Sequence, residues 1–360
     1  MREAGDMGWK RTTNARTEST TASGMSSSSR LLPGRLVASF AGFASVVFLP
    51  CIVFADGPLR VVTSIAPLAM IVSQLGGDRV LAHSILPPGA DPHVFEPRPS
   101  DAKDVREAGL VVLLGSAIDD WLGGGIPVSA DTSVVRLAPD EGGAAHHDHG
   151  GHLDDDQGRH GDDDREHDPH VWLDPVWVRD RALPALHRAF VAADPEGAPR
   201  YGVAARAMAE DLTNLEDDIR EMLVKAPVRV FFAWHPAWGH FAHRFGLRSA
   251  GVVGEGEGRE PSLRAMVDAV SAARASGVRA VLVEPQVDPR PARVLAAELG
   301  VAVVTVDPLG DAWSFDRATY PELMLFNARA FARALGVEED DDEKEEAEPP
   351  PMSISPPAVR

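Results

Sequence analysis

The sequence predicts an α/β protein of two parallel-sheet lobes joined by one long rigid helix. Three observations carry this. From Arg60 onward, short β-rich runs alternate with helical stretches, the pattern of sheets built from βα units. The alternation stops over residues 196–225, where Met208, Leu212, Leu215, Ile219 and Met222 recur at steps of four and three as one apolar stripe. It then restarts after residue 226 and continues to about 336.

Taken in order, residues 1–55 read as an N-terminal extension and signal peptide. Arg30 and Arg35 flank an apolar run from Leu36 to Phe54, and Val53-Phe54-Ala55 before Asp56 has the small or aliphatic residues that signal peptidase needs at −3 and −1. Export with a mature start near Asp56 is expected; Met25 offers a shorter signal, and a retained anchor is the alternative. The first lobe, 56–195, has strand runs at 60–65, 79–85, 110–114 and 134–137, a helix from Pro67 to Gly76, and another opened by Ser100-Asp101. The 196–225 helix is long enough, roughly 42 Å at 1.5 Å per residue, to link two lobes stiffly. The second lobe, 226–336, has strand runs at 228–233, 248–253, 278–283 and 301–306, with helices near 236–245, 262–276, 289–299 and 319–335.

Charge is distributed in blocks. The 360 residues carry a formal charge of −19, of which residues 140–168 supply −9 and 338–348 supply −8. Within the first lobe, 141–167 is therefore expected to be a disordered His/Asp-rich loop, and 337–360 an acidic, Pro-rich tail. Such acidity argues against nucleic acid as a partner. The lone cysteine, Cys51, excludes an internal disulfide and any Cys-based zinc or iron-sulfur site, so a metal here needs His and carboxylate ligands.

Four residues qualify as such ligands. The rigid loop Pro87-Pro88-Gly89-Ala90-Asp91-Pro92-His93 follows a strand, where α/β proteins place their ligands. Its Asp-Pro-His-Val core recurs at 168–171, presenting His170. His235 follows the buried-looking strand Val230-Phe231-Phe232-Ala233, and Asp307 follows another in Val306-Asp307-Pro308. Taken singly, His235 also reads as a core histidine and Asp307 as a turn aspartate before proline. Jointly, three imidazoles and one carboxylate suit a borderline ion such as zinc. His146, His147, His149, His152, His160 and His167 in the acidic loop offer secondary, weaker metal sites. His240 and His243 read as helix-surface or packing residues, because five residues along a helix turn His240 about 140° away from His235. No G-x-x-x-x-G-K-[ST] or H-E-x-x-H motif occurs, which argues against an ATPase or a zincin.

The stretches 87–101, 168–175, 234–247, 284–286 and 307–310 together resemble the zinc/manganese class of solute-binding proteins that deliver metal to ABC transporters. The resemblance covers residues 58–336 and implies a metal site in the cleft between the lobes, formed by His93, His170, His235 and Asp307. A histidine at the third ligand resembles the zinc branch, and the His-rich loop resembles those thought to collect or sense metal. Pro236 departs from the family, where an acidic residue is common. The resemblance implies an exported, monomeric, non-enzymatic carrier that takes Zn²⁺ rather than Mn²⁺ and hands it to a membrane permease. The alternatives are a manganese carrier, a zinc-dependent hydrolase with Asp307 as general base, and a metal-buffering or adhesive surface protein.

Overall fold

A computed structural model describes residues 57–123, 128–129, 132–138, 168–253, 262–311, 314 and 316–337. The expected signal segment, the His-rich loop with His146, His147, His149, His152, His160 and His167, and the acidic tail lie outside the described residues.

The first lobe contains β1 (Leu59–Thr63), α1 (Ala66–Gly76), β2 (Val80–Ser84), α2 (Pro99–Glu107), β3 (Leu110–Leu113), the short α3 (Asp120–Gly123) and β4 (Ser133–Arg136). All strands pair in parallel in the order β2-β1-β3-β4. Their burial follows their position. The central β3 is buried at every residue, whereas the edge strand β2 alternates, exposing Leu81 and Ser84's neighbour His83 while Val80 faces the core. Helix α1 has Pro67 in its first turn and ends where Gly77 adopts φ +55, a backbone state that side-chain-bearing residues rarely enter. Helix α2 begins one residue earlier than Ser100-Asp101 would set it. Pro99, whose missing N–H is no loss in the first turn, opens it, and Asp101 reaches back to accept a hydrogen bond from the Arg98 N–H at 2.7 Å.

After the loop come α4 (Pro175–Trp177), a wide π turn over Val178–Ala182, α5 (Leu183–Ala193) and the 27-residue α6 (Ala198–Val224). The second lobe repeats the first: β5 (Val230–Ala233), α7 (Gly239–Phe245), β6 (Arg248–Val252), α8 (Leu263–Ser276), β7 (Ala280–Val283), α9 (Pro289–Leu299), β8 (Ala302–Thr305) and α10 (Tyr320–Leu335). Its strands are again all parallel, in the order β6-β5-β7-β8. In both lobes the chain runs outward from one central strand in two directions, which leaves a crevice at that strand's carboxyl end.

Helix α6 buries Tyr201, Met208, Leu212, Leu215, Ile219 and Leu223. The expected stripe is thus present, with Leu223 rather than Met222 as its last buried member. These side chains belong to one apolar cluster that runs from Ile71 and Leu75 of α1 to Phe231 of β5 and Phe331 of α10, so the helix serves both lobes. The segment 168–174 ties the lobes from the other side. Trp172 Nε1 donates to Pro308 O at 2.7 Å, Tyr320 OH donates to Trp172 O at 2.7 Å, and Arg244 grips both oxygens of Asp174 at 2.8 Å. Among the described residues, no helix is long and apolar enough to cross a membrane.

Candidate metal centre

The repeated Asp-Pro-His-Val sequence has a structural cause. In each copy the aspartate Oδ1 accepts the backbone N–H of the histidine two residues on, at 2.9 Å for Asp91 and His93 and 3.0 Å for Asp168 and His170. Proline between them fixes φ and needs no hydrogen-bond partner, so the turn closes with little entropy left to lose. The same Asp-Pro turn recurs at Asp174, Asp288 and Asp307, whose Oδ1 atoms accept from Val176, Arg290 and Leu309.

Two of these turns and the end of β5 deliver three imidazoles to one point. Among the described residues, His93, His170 and His235 offer ligand nitrogens that all lie within 4.8 Å of one another. His170 and His235 face each other through their Nε2 atoms at 3.4 Å. Two nitrogens bound to a tetrahedral zinc at 2.0–2.1 Å are themselves about 3.3 Å apart, so this pair already stands at a coordination edge. Which nitrogen His170 presents is fixed chemically. Its Nδ1–H donates to Asp168 Oδ1 at 2.8 Å, and a carboxylate can only accept, which leaves Nε2 as the ligating atom.

Asp168 is held in turn. His240 Nε2–H donates to its main-chain oxygen at 2.9 Å, and a Cβ on Gly239 would meet its Oδ2 at 2.5 Å, so only glycine leaves it room. His240 thus packs against the Asp168 main chain and, among the described residues, does not join the group formed by His93, His170 and His235, as the angular argument expected. What differs is the helix start: α7 begins at Gly239 rather than near Pro236. Asp168→Ala is expected to weaken metal binding by about 10–100-fold, the usual effect of losing a carboxylate behind a ligating histidine. Chelator competition measures it; an unchanged affinity would remove Asp168 from the site.

The electrostatics favour neutral imidazole. Burial, reinforced by His170 and His93, lowers the pKa of His235 from 6.5 to about 3, so it keeps its lone pairs at any physiological pH. Burial pushes Asp168 upward, but hydrogen bonds and charge from His170 more than reverse it and hold the carboxyl below its ordinary value. The buried Glu284 is pushed up to about 8 by desolvation, against the hydrogen bond it accepts from Trp238 Nε1 at 2.9 Å. Glu284 lines the same cavity as the histidines, together with Asp91, Trp172, Gln286 and Leu309. That cavity measures about 20 Å³. A space of this size holds one water or one ion.

Asp307 is not brought into the histidine group. It is buried, and its Oδ1 accepts from Leu309 N, Gly310 N and Gln286 Nε2 at 3.0–3.1 Å, while Oδ2 lies 2.9 Å from Arg317 Nε. The buried Asn327 fixes its backbone from both sides, with Oδ1 accepting from Asp307 N and Nδ2 donating to Asp307 O, each at 2.7 Å. Sequence reasoning missed Asn327, Arg317, Gln286 and Glu284 as parts of this neighbourhood. The Glu284-Pro285-Gln286 stretch was the one available signal, placed directly after the buried strand β7.

A family model described as "Zinc-uptake complex component A periplasmic" matches residues 61–334. A putative metal-binding protein of Treponema pallidum (strain Nichols) is 28% identical over 312 residues, which span 82% of this chain and 95% of that protein. The high-affinity zinc uptake system protein ZnuA of Paracoccus denitrificans (strain Pd 1222) is 30% identical over 311 residues, 78% of this chain and 92% of that protein. Among solved structures, a crystal structure of ZnuA superposes with a TM-score of 0.63 at 25% identity, covering 77% of this chain and 99% of that one.

Proposed function

The chain belongs to the family of periplasmic zinc-uptake components, and from that premise we propose that it captures zinc outside the cytoplasm and delivers it to an ABC permease for uptake. The family is one of solute-binding proteins, and zinc is here the cargo rather than a resident cofactor. His93, His170 and His235 are the proposed ligands. The observation that carries this is the 3.4 Å separation of the His170 and His235 Nε2 atoms, with His93 close by, around a cavity of ion size.

Three imidazoles favour zinc over manganese, which prefers oxygen donors. The hydrolase alternative differs in coordination: a hydrolytic zinc keeps an open position for water, whereas a carrier can close the tetrahedron with four protein groups, so the coordination number of the bound ion distinguishes them. The proposed organisation is a signal peptide within residues 1–55, lobes at 56–195 and 226–336 with the helix between, and a monomer in solution. The histidines between 141 and 167 are proposed as secondary weak sites, because a stretch rich in imidazoles and carboxylates offers several alternative ligand sets rather than one.

Competition titration of residues 56–360 with Zn²⁺ and Mn²⁺ tests this reading. One tight zinc per chain is expected, with manganese displaced, and the tight event should persist when 141–167 is deleted while weaker binding disappears. Preference for manganese would move the protein to the other branch of the class. Loss of the tight event with the loop would make the loop the principal binding element, as in a metal-buffering protein.

A further inference from the structure

We propose that the segment Glu284-Pro285-Gln286 is a positioning element for the second-lobe half of the site, with Glu284 holding the His235 turn through Trp238 and Gln286 holding the carboxylate of Asp307. The inference rests on the zinc reading above and adds to it what fixes the two second-lobe positions relative to each other.

The sheet order puts this segment between the two turns. Strand β7 lies between β5 and β8. Its pairing ends level on both sides: Trp234 N donates to Leu282 O and Val306 N to Val283 O, each at 3.0 Å. His235, Glu284 and Asp307 are therefore each the first residue past the ladder, on three adjacent strands. From there the two side chains reach opposite neighbours. Glu284 accepts from Trp238 Nε1 at 2.9 Å, on the β5 side, and Gln286 Nε2 donates to Asp307 Oδ1 at 3.0 Å, on the β8 side. Both residues line the cavity with the three histidines.

The segment is stiff enough to transmit position. Pro285 has a fixed φ and confines Glu284 before it to extended backbone, and Val287 N closes the turn onto Glu284 O at 3.3 Å. Trp238 ends the irregular stretch that begins at His235. It is 1% exposed, with its ring 5.1 Å from Phe331 and 5.9 Å from Phe241, so the restraint passes to the turn instead of being absorbed by a loose side chain. Its Nε1–H is buried and donates to Glu284, so removing the acceptor leaves a costly unpaired donor beside His235. On the other side, Asp307 Oδ1 also accepts from Leu309 N and Gly310 N, but these belong to its own turn. Of the three donors, Gln286 alone ties the carboxylate to β7. Arg317 Nε, 2.9 Å from Oδ2, makes no hydrogen bond, so the restraint comes from the Oδ1 side.

Zinc competition and cobalt absorption on the full chain test this. Glu284→Ala and Trp238→Phe are each expected to weaken zinc about tenfold and to change the d–d bands of bound Co²⁺, and the double variant to lose no more than either alone. Glu284→Gln keeps an acceptor and should restore both readouts. Gln286→Leu is expected to lose a similar factor, and to lose nothing further when Asp307 is already alanine. A Glu284→Gln variant as weak as Glu284→Ala, additive losses in either pair, or affinities within twofold of the unaltered protein overturns the proposal and leaves the three-histidine reading intact. A crystal structure of the unaltered chain with zinc keeps the test decisive where a variant folds poorly. Both hydrogen bonds are expected there with the ion on the histidines, and the absence of either overturns the proposal. Zinc bound away from the histidines would overturn that reading and this one together.

Discussion

Replacing His170 with alanine is expected to weaken zinc binding by roughly 10²–10³-fold, because sites that bind zinc through four protein ligands gain about 10–16 kcal/mol in total and one ligand carries roughly a quarter of it. His170 is the most instructive of the three histidines to remove. It is the buried one, its Nε2 stands 3.4 Å from that of His235, and its other nitrogen is fixed by Asp168. Truncation therefore removes a ligand and leaves the Asp168 carboxylate without its imidazole donor, with the residue 170 backbone N–H still on its Oδ1. Removing the His240 imidazole, which bonds to the Asp168 main-chain oxygen, should have a much smaller effect. Competition with a chromophoric chelator reads both. A zinc affinity for His170→Ala within twofold of the unaltered protein would exclude the imidazole cluster as the binding site.

The second large effect is on the stability of the zinc-free protein as pH changes. His235 has a folded pKa of about 3 against 6.5 unfolded. Between those values the unfolded chain binds the extra proton, so stability from this group rises with pH up to 6.5 and is lost as pH falls toward 3. Glu284 works in the opposite sense. Its pKa is about 8 when folded against 4.5 unfolded, so the folded state holds the extra proton in that window and stability falls as pH rises from 4.5 to 8. Each slope reaches about 1.4 kcal/mol per pH unit at most. The two cancel between 4.5 and 6.5, leaving a plateau there and a decline of about 2 kcal/mol from 6.5 to 8. Urea midpoints across pH 4–8.5 would show this profile. Glu284→Gln keeps an acceptor for Trp238 and removes the titration, so it should flatten the decline above pH 6.5; an equal decline in that variant would assign the effect to other groups.

The lobes, the connecting helix and the three histidines were legible in the sequence because each leaves a local mark. Buried parallel strands such as β3 and β7 read as unbroken apolar runs, α6 reads as a stripe, and His93 and His170 are announced by the same Asp-Pro turn. The contacts of Asp307 were not legible. Asp-Pro-Leu shows neither the Gln286 amide nor the Arg317 side chain beside its carboxylate, because these residues lie twenty-one positions before it and ten after it. The start of α7 was misread for a related reason. Helical periodicity locates a side chain only once the helix has begun, and Pro236 gave no warning that regular structure would wait until Gly239.

The sharing of α6 between the lobes also bears on how the molecule comes apart. Ile71 and Leu75 of the first lobe and Phe231 and Phe331 of the second rest in one cluster with Met208, Leu212 and Ile219 of the helix. Neither lobe can shed the other without baring one length of that stripe to water, at about 25 cal/mol for every Å² of apolar surface uncovered. Two lobes that look like separate units in their sheets are thus a single cooperative unit in their melting. A break anywhere along α6 would reach both sheets at once.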